Sequence, residues 1–141
     1  MTMTSKSNIK EFFQDQTIFL TGGSGFLGKV LIEKLLRECY NLTKIYVMMR
    51  PKKGKNAKER FDGFFDQPCF DLIKSKGINF TEKVFLINGN CEEPLLGLSE
   101  TDIDVLKKEV PMLNLIRLSK KLLITFEPPK TFWRWPNKCQ N

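Results

Sequence analysis

Thr21-Gly22-Gly23-Ser24-Gly25-Phe26-Leu27-Gly28 follows the apolar run Thr17-Ile18-Phe19-Leu20. The run reads as a short strand. Gly22, Gly25 and Gly28 are then spaced three apart at the point where a helix begins. This is the arrangement that seats a dinucleotide pyrophosphate. The first glycine permits a tight turn, the second lets backbone approach the phosphates, and the third lets helix and strand pack closely. Free N–H groups at the helix start and its partial positive charge attract the anion. The plain alternative is an ordinary strand-to-helix turn, which needs only one of these glycines.

Context strengthens the nucleotide reading. Leu27, Val30, Leu31 and Leu35 recur at helical spacing, with Lys29, Glu33, Lys34 and Arg37 between them. A second strand, Ile45 to Met49, follows and ends in Arg50. Strand, glycine turn, helix and strand make one crossover unit. Two look-alikes fail. Gly23 to Lys29 fits most of an NTPase phosphate loop, but Val30 stands where a magnesium-binding hydroxyl is needed, and it is expected on the apolar helix face. Tyr40 and Lys44 have the spacing of a reductase acid pair. The helix should stop between them, so Tyr40 is expected to pack at a helix end.

A carboxylate at the end of the second strand would bond the ribose 2′-OH of NAD. Arg50 stands there instead, followed by Pro51-Lys52-Lys53-Gly54-Lys55. A guanidinium suits a phosphate dianion, so the sequence favours NADP. A third strand, Val84 to Ile87, runs into Asn88-Gly89-Asn90-Cys91. There Asn90 is placed to bond an adenine edge, with the backbone of Cys91 beside it. A plain strand-ending turn explains that stretch equally well.

The 141 residues suffice for one domain with a core, and 41% hydrophobic with 28% charged content is globular. No apolar run reaches the length of a membrane span, and the polar N-terminus lacks the apolar core of a secretory signal. The four cysteines, Cys39, Cys69, Cys91 and Cys139, have no paired spacing, which points to reduced thiols inside the cell and away from metal. With no histidine, imidazole bases and His-ligated metals are excluded. The net charge of +7 gathers at Arg50, Lys52, Lys53, Lys55 and Lys58. A small phosphate-rich ligand accounts for it, and no nucleic-acid-binding pattern accompanies it.

Asn56 is expected to cap a helix carrying Ala57, Phe61, Phe64 and Phe65, with a break at Pro68 and a stop at Gly77. Ser99 to Asp102 resembles a capping box ahead of Ile103, Leu106 and Val110. Met112 to Ile116 reads as a fourth strand. From Glu127 the composition shifts towards Pro, Trp and Arg, read as a poorly ordered tail or, alternatively, an aromatic-basic patch for a membrane or partner. The expected division is a flexible 1–11, a partial Rossmann-type NADP-binding domain over 12–118, and a divergent 119–141.

The runs TGGSGFLGKVLIEKLLR and KIYVMMRPKKGK, with Phe65–Asp71, Gly89–Pro94 and Leu96–Ser99, resemble the start of an alcohol-forming fatty acyl-CoA reductase of the insect type. The match covers about Phe12 to Val110. The resemblance implies an α/β fold of the extended short-chain dehydrogenase kind, with a truncated parallel sheet flanked by helices. It implies NADPH-dependent reduction of long-chain fatty acyl-CoA to fatty alcohol. Gly22, Ser24, Gly25, Phe26, Leu27 and Gly28 would hold the pyrophosphate, Arg50 the 2′-phosphate, and Asn90 with Cys91 would border the adenine. Asn90 stands where the family usually has Asp. Family members are associated with peroxisomal or endoplasmic-reticulum membranes. The family's catalytic Tyr and Lys would fall beyond residue 141, and the resemblance stops at Met112, so a truncated or frame-shifted product is expected, with no catalytic residue of its own. The alternative is a non-catalytic nucleotide-binding or interaction module.

Overall fold

The structure is a computed structural model that describes residues 9–110 and 115–117. The elements are α1 (Ile9–Phe13), β1 (Thr17–Thr21), α2 (Phe26–Glu38), β2 (Lys44–Met49), α3 (Ala57–Asp62), α4 (Asp71–Ser75), β3 (Val84–Asn88), α5 (Glu100–Glu109) and β4 (Leu115–Arg117). The four strands lie parallel in the order β3-β2-β1-β4. The expected α/β class and parallel sheet are present, and the expected fourth strand is realised at its end. Met112 to Asn114 and the tail from residue 118 onward lie outside the described residues, as do residues 1–8 and Cys139.

Both sheet faces are covered, as a parallel sheet requires. Strand alternation sends Ile18, Leu20, Ile45, Val47, Met49 and Val84 to one face, where Ile32, Leu35 and Leu36 of α2 meet them. Phe19, Tyr46, Met48 and Ile87 point to the other face, against Leu106 and Val110. So α2 covers one face and α5 the other, and the sheet's winding reverses between β1 and β4. Ligands of open α/β sheets bind at the carboxyl ends of the strands beside such a reversal.

The helical face differs from the sequence expectation. Leu27 is 62% exposed and Val30 40%, whereas Ile32, Leu35 and Leu36 are buried. The buried stripe of α2 runs through Gly28, Ile32, Leu35 and Leu36, so Leu27 and Val30 flank it and face outward although their spacing fits. Val30 still lacks the oxygen an NTPase loop requires. Lys29 donates to Gln67 Oε1 at 3.2 Å. Tyr40 does not pack either: α2 stops at Glu38, Cys39 caps it by donating to the Leu35 carbonyl, and Tyr40 is 67% exposed in the following turn. Leu42, fully buried two residues later, takes the packing role instead. Burial pushes the Cys39 thiol above its usual range.

Asn56 caps α3 as expected, in a reciprocal box. Its side chain accepts from Glu59 N at 2.8 Å, and Glu59 Oε2 accepts from Asn56 N at 2.9 Å. Phe64 and Phe70 are buried, and Phe65 packs at tilted angles between Phe70 and Phe80 with centroids 4.9 and 4.4 Å away. These phenylalanines fill the core, each worth about 1.5–3 kcal/mol on burial. Pro68 starts a new short turn and Gly77 ends the segment at φ +67°. Ser99 caps α5 by accepting from Asp102 N at 3.1 Å, but the return bond is missing. The short Asp102 carboxylate accepts instead from the Ser99 hydroxyl at 2.8 Å.

Candidate functional site

Register brings three strand ends to one edge. Leu20 pairs with Val47, and Met49 with Asn88. The residues just past the strands are therefore neighbours: the Gly22 turn after β1, Arg50 after β2, and Gly89 with Asn90 after β3. Gly89 N continues the ladder by donating to the Met49 carbonyl at 3.1 Å.

The glycine turn is built by backbone geometry. Gly22 adopts φ +73°, a region costly for residues with a Cβ. Its carbonyl accepts from Gly25 N at 3.2 Å and closes the turn. A Cβ on Gly28 would lie 2.5 Å from both the Cα and the carbonyl oxygen of Gly23, so α2 can start this close to β1 only with glycine there. A Cβ on Gly25 would meet only the Gly22 carbonyl, at an ordinary 3.4 Å. Crowding within the chain does not explain glycine at this place, whereas a group approaching from outside would. Gly23 also matters and was missed by the spacing argument: its Cβ would sit 2.6 Å from Val47 Cγ1. The doubled Gly22-Gly23 was the available signal.

The start of α2 suits an anion. Its N-cap, Gly25, makes no side-chain cap bond, and the first turn carries no acid. The N–H groups of Phe26, Leu27 and Gly28 lack intrahelical acceptors by helix geometry. The Phe26 and Leu27 side chains point away, 83% and 62% exposed. Beneath the turn, Thr21 is 2% exposed and its Oγ1 has no hydrogen-bond partner among the described residues.

Arg50 is exposed at the next strand end. Its carbonyl accepts from Arg60 Nη1, which pins the chain there, and its own Nη1 lies 3.3 Å from Glu92 Oε2. Lys52-Lys53-Gly54-Lys55 then forms a two-residue hairpin turn with φ +52° at Lys53 and +75° at Gly54. The three lysines are exposed and have no ion-pair partner among the described residues.

Asn90 is half-buried, but its amide oxygen already accepts from Glu92 N at 3.1 Å, and its backbone N–H donates to Leu96 O at 2.7 Å. One lone pair of the amide oxygen stays free. Cys91 lies beside it, packed against the α5-side core. The following turn holds Leu95, Leu96 and Gly97 at φ +52°, +59° and +57°. Two successive leucines in this region mark a locally strained segment. Gly89 leaves no room for a side chain: a Cβ would lie 2.7 Å from Met48 Sδ.

All nine residues read from the sequence thus lie along the carboxyl edge of the sheet. Tyr46 and Lys44 do not. They sit at the start of β2, at the opposite end. Both donate to Glu109 Oε2, at 2.6 and 2.8 Å. Hydrogen bonds from Lys44 and then Tyr46 hold the Glu109 carboxyl below its ordinary range. Burial, then the bond to Glu109, raises the Tyr46 phenol.

Among the described residues, no helix is long and apolar enough to cross a membrane. Residues 20–113 match the NAD-binding family model described as male sterility protein. Fatty acyl-CoA reductase 1 of Mus musculus is 39% identical over 99 residues, covering 70% of this chain and 19% of that protein. Fatty acyl-CoA reductase wat of Drosophila melanogaster is 37% identical over 105 residues, covering 74% of this chain and 20% of its own. The chain thus spans about a fifth of the length of these relatives. Among solved structures, the reductase domain of a nonribosomal peptide synthetase from Mycobacterium tuberculosis aligns with TM-score 0.58 at 24% identity, over 75% of this chain and 24% of that one. The terminal R domain of the myxalamid PKS-NRPS pathway aligns with TM-score 0.53 at 26% identity, over 75% and 25%. The resemblance to fatty acyl-CoA reductases is borne out, and a nicotinamide dinucleotide is the class of cofactor the family name implies. With its glycine turn, crossover unit and parallel strand order, the chain belongs to the male sterility protein family of NAD-binding domains.

Proposed function

We propose that this chain is the NADPH-binding part of a reductase acting on long-chain fatty acyl-CoA, with fatty alcohol as product. The observation that carries the cofactor preference is Arg50 at the end of β2, beside an uncapped, acid-free helix start. The backbone N–H groups of Phe26, Leu27 and Gly28 hold the pyrophosphate, Gly22 and Ser24 shape the turn around it, and the Gly25 position leaves room for it. The Arg50 guanidinium takes the 2′-phosphate, with the lysine hairpin adding positive potential. Asn90 offers its free lone pair to the adenine amino group, and Cys91 lines that side. Bound there, the nicotinamide supplies hydride to a carbonyl carbon. Residues 12–118 make up the nucleotide-binding unit in this reading.

The test is a titration of NADPH and NADH followed by binding and by thermal melting. NADPH is expected to raise the melting temperature, because ligand binding to the folded state alone stabilises it. Arg50→Asp is expected to weaken NADPH binding much more than NADH binding. Equal losses for both cofactors, or no NADPH binding by the wild-type chain, would overturn the reading.

A further inference from the structure

The carboxylate that faces Arg50 comes from an unexpected place. In dinucleotide folds an acid at the end of the second strand bonds the ribose 2′-OH of NAD. Here Arg50 occupies that place, yet a carboxylate is still present. Glu92, from the loop after β3, puts Oε2 3.3 Å from Arg50 Nη1. The loop is organised to hold it there: Glu92 N donates to Asn90 Oδ1 at 3.1 Å, and Asn90 N donates to Leu96 O at 2.7 Å. Both side chains are open to a ligand, 47% exposed for Arg50 and 67% for Glu92.

Resting on the cofactor reading above, we infer that Glu92 is a specificity-determining residue that lowers the site's preference for NADPH and lets it accept NADH. Two effects act in this direction. A phosphate dianion reaching Arg50 must displace the carboxylate or tolerate it as a like charge close by. A ribose without that phosphate meets an acceptor for its hydroxyls in the same carboxylate. Arg50 and Glu92 thus divide the two cofactors between them, each favouring one. The pair is solvent-exposed, so the effect is modest, about threefold on each dissociation constant.

Glu92→Gln keeps the side-chain length and removes the charge. Dissociation constants for NADPH and NADH are measured on the full 141-residue chain for wild type, Glu92→Gln, Arg50→Asp and Glu82→Gln. Glu82 precedes β3 at the other end of the sheet, and its substitution controls for net charge. The NADPH-over-NADH preference is expected to rise about tenfold in Glu92→Gln, within a factor of three either way, and to stay unchanged in Glu82→Gln. An unchanged or reduced preference in Glu92→Gln, or the same rise in Glu82→Gln, overturns the inference. If Arg50→Asp in that case still weakens NADPH binding much more than NADH binding, the cofactor reading survives without it. If Arg50→Asp weakens both cofactors equally, the reading itself falls.

Discussion

At the scale of single residues, Gly28 carries the most demanding constraint. Alanine there would put a methyl 2.5 Å from Gly23 backbone and 2.7 Å from the Gly22 carbonyl, and backbone yields far less readily than a side-chain tip. Gly28→Ala is expected to destabilise the chain by about 1–3 kcal/mol, the usual cost of overpacking, read from urea unfolding. Gly25→Ala meets only an ordinary contact at 3.4 Å. Its stability should change by under about 1 kcal/mol, while dinucleotide affinity falls, because the new methyl occupies space the ligand needs. The split between stability at Gly28 and binding at Gly25 separates an architectural glycine from one that leaves room for a guest. A large stability loss at Gly25 would erase that distinction.

Among the elements, α5 is fastened to the sheet by its last turn. Glu109 accepts from both Lys44 and Tyr46, and Lys44 Nζ also lies 5.6 Å from the Phe85 ring centre. The Glu109 carboxyl is depressed, so its contribution is present above its unfolded value of roughly 4.3 and is lost as pH falls through the lower folded value. Lys44 and Tyr46 are raised, so theirs are present below their ordinary values and lost as pH rises through the folded ones. Acid unfolding of Glu109→Gln should therefore show a shallower loss of stability below about pH 4.5 than wild type. An identical pH profile would show that the contact contributes nothing. Tyr46→Phe removes one charge-assisted bond and is expected to cost about 1 kcal/mol at neutral pH. Asn56→Ala should cost a similar amount through the lost α3 cap, visible as a lower melting temperature.

For the whole molecule, charge and topology act together. Within a net charge of +7, Lys52, Lys53 and Lys55, without an ion-pair partner among the described residues, lie beside the strand end that carries Arg50. NADPH, with an additional phosphate, should lose affinity more steeply than NADH as salt rises from about 50 to 500 mM, over which screening shortens from about 14 to 4 Å. Parallel slopes in the two titrations would argue against a phosphate contact at this edge. Reduction of a carbonyl also needs a proton donor at the nicotinamide. The chain has two tyrosines. Tyr40 lies exposed in a turn, and Tyr46 is bonded to Glu109 at the far end of the sheet. Incubating these 141 residues with NADPH and a long-chain acyl-CoA is expected to give background NADPH oxidation only. Clear turnover would place a donor where none is assigned.

Local patterns were legible wherever the backbone itself set the rule. Strand β1, the glycine turn, the end of β2 at Arg50, the Asn56 cap and the stop at Gly77 follow from short-range sterics and hydrogen bonding, which a sequence states directly. Which face of α2 is buried did not follow, because Leu27 and Val30 keep helical spacing while the contact with the sheet runs along the stripe that starts at Gly28. Tyr40 misled because an aromatic at a helix end packs only if a neighbour is there to receive it, and Leu42 took that place. What constrains Gly23 and what Glu92 meets were decided by the tertiary structure. Gly23 is constrained by Val47, a residue 24 positions later in the chain, and Glu92 meets Arg50 across 42 residues. The sequence determined a crossover unit with a glycine turn at its helix start and a cation at the end of its second strand, since turns and caps are local. Only the parallel pairing of β1, β2 and β3 brought three distant loops to one edge and set an acid against that cation, since strand register is a long-range property.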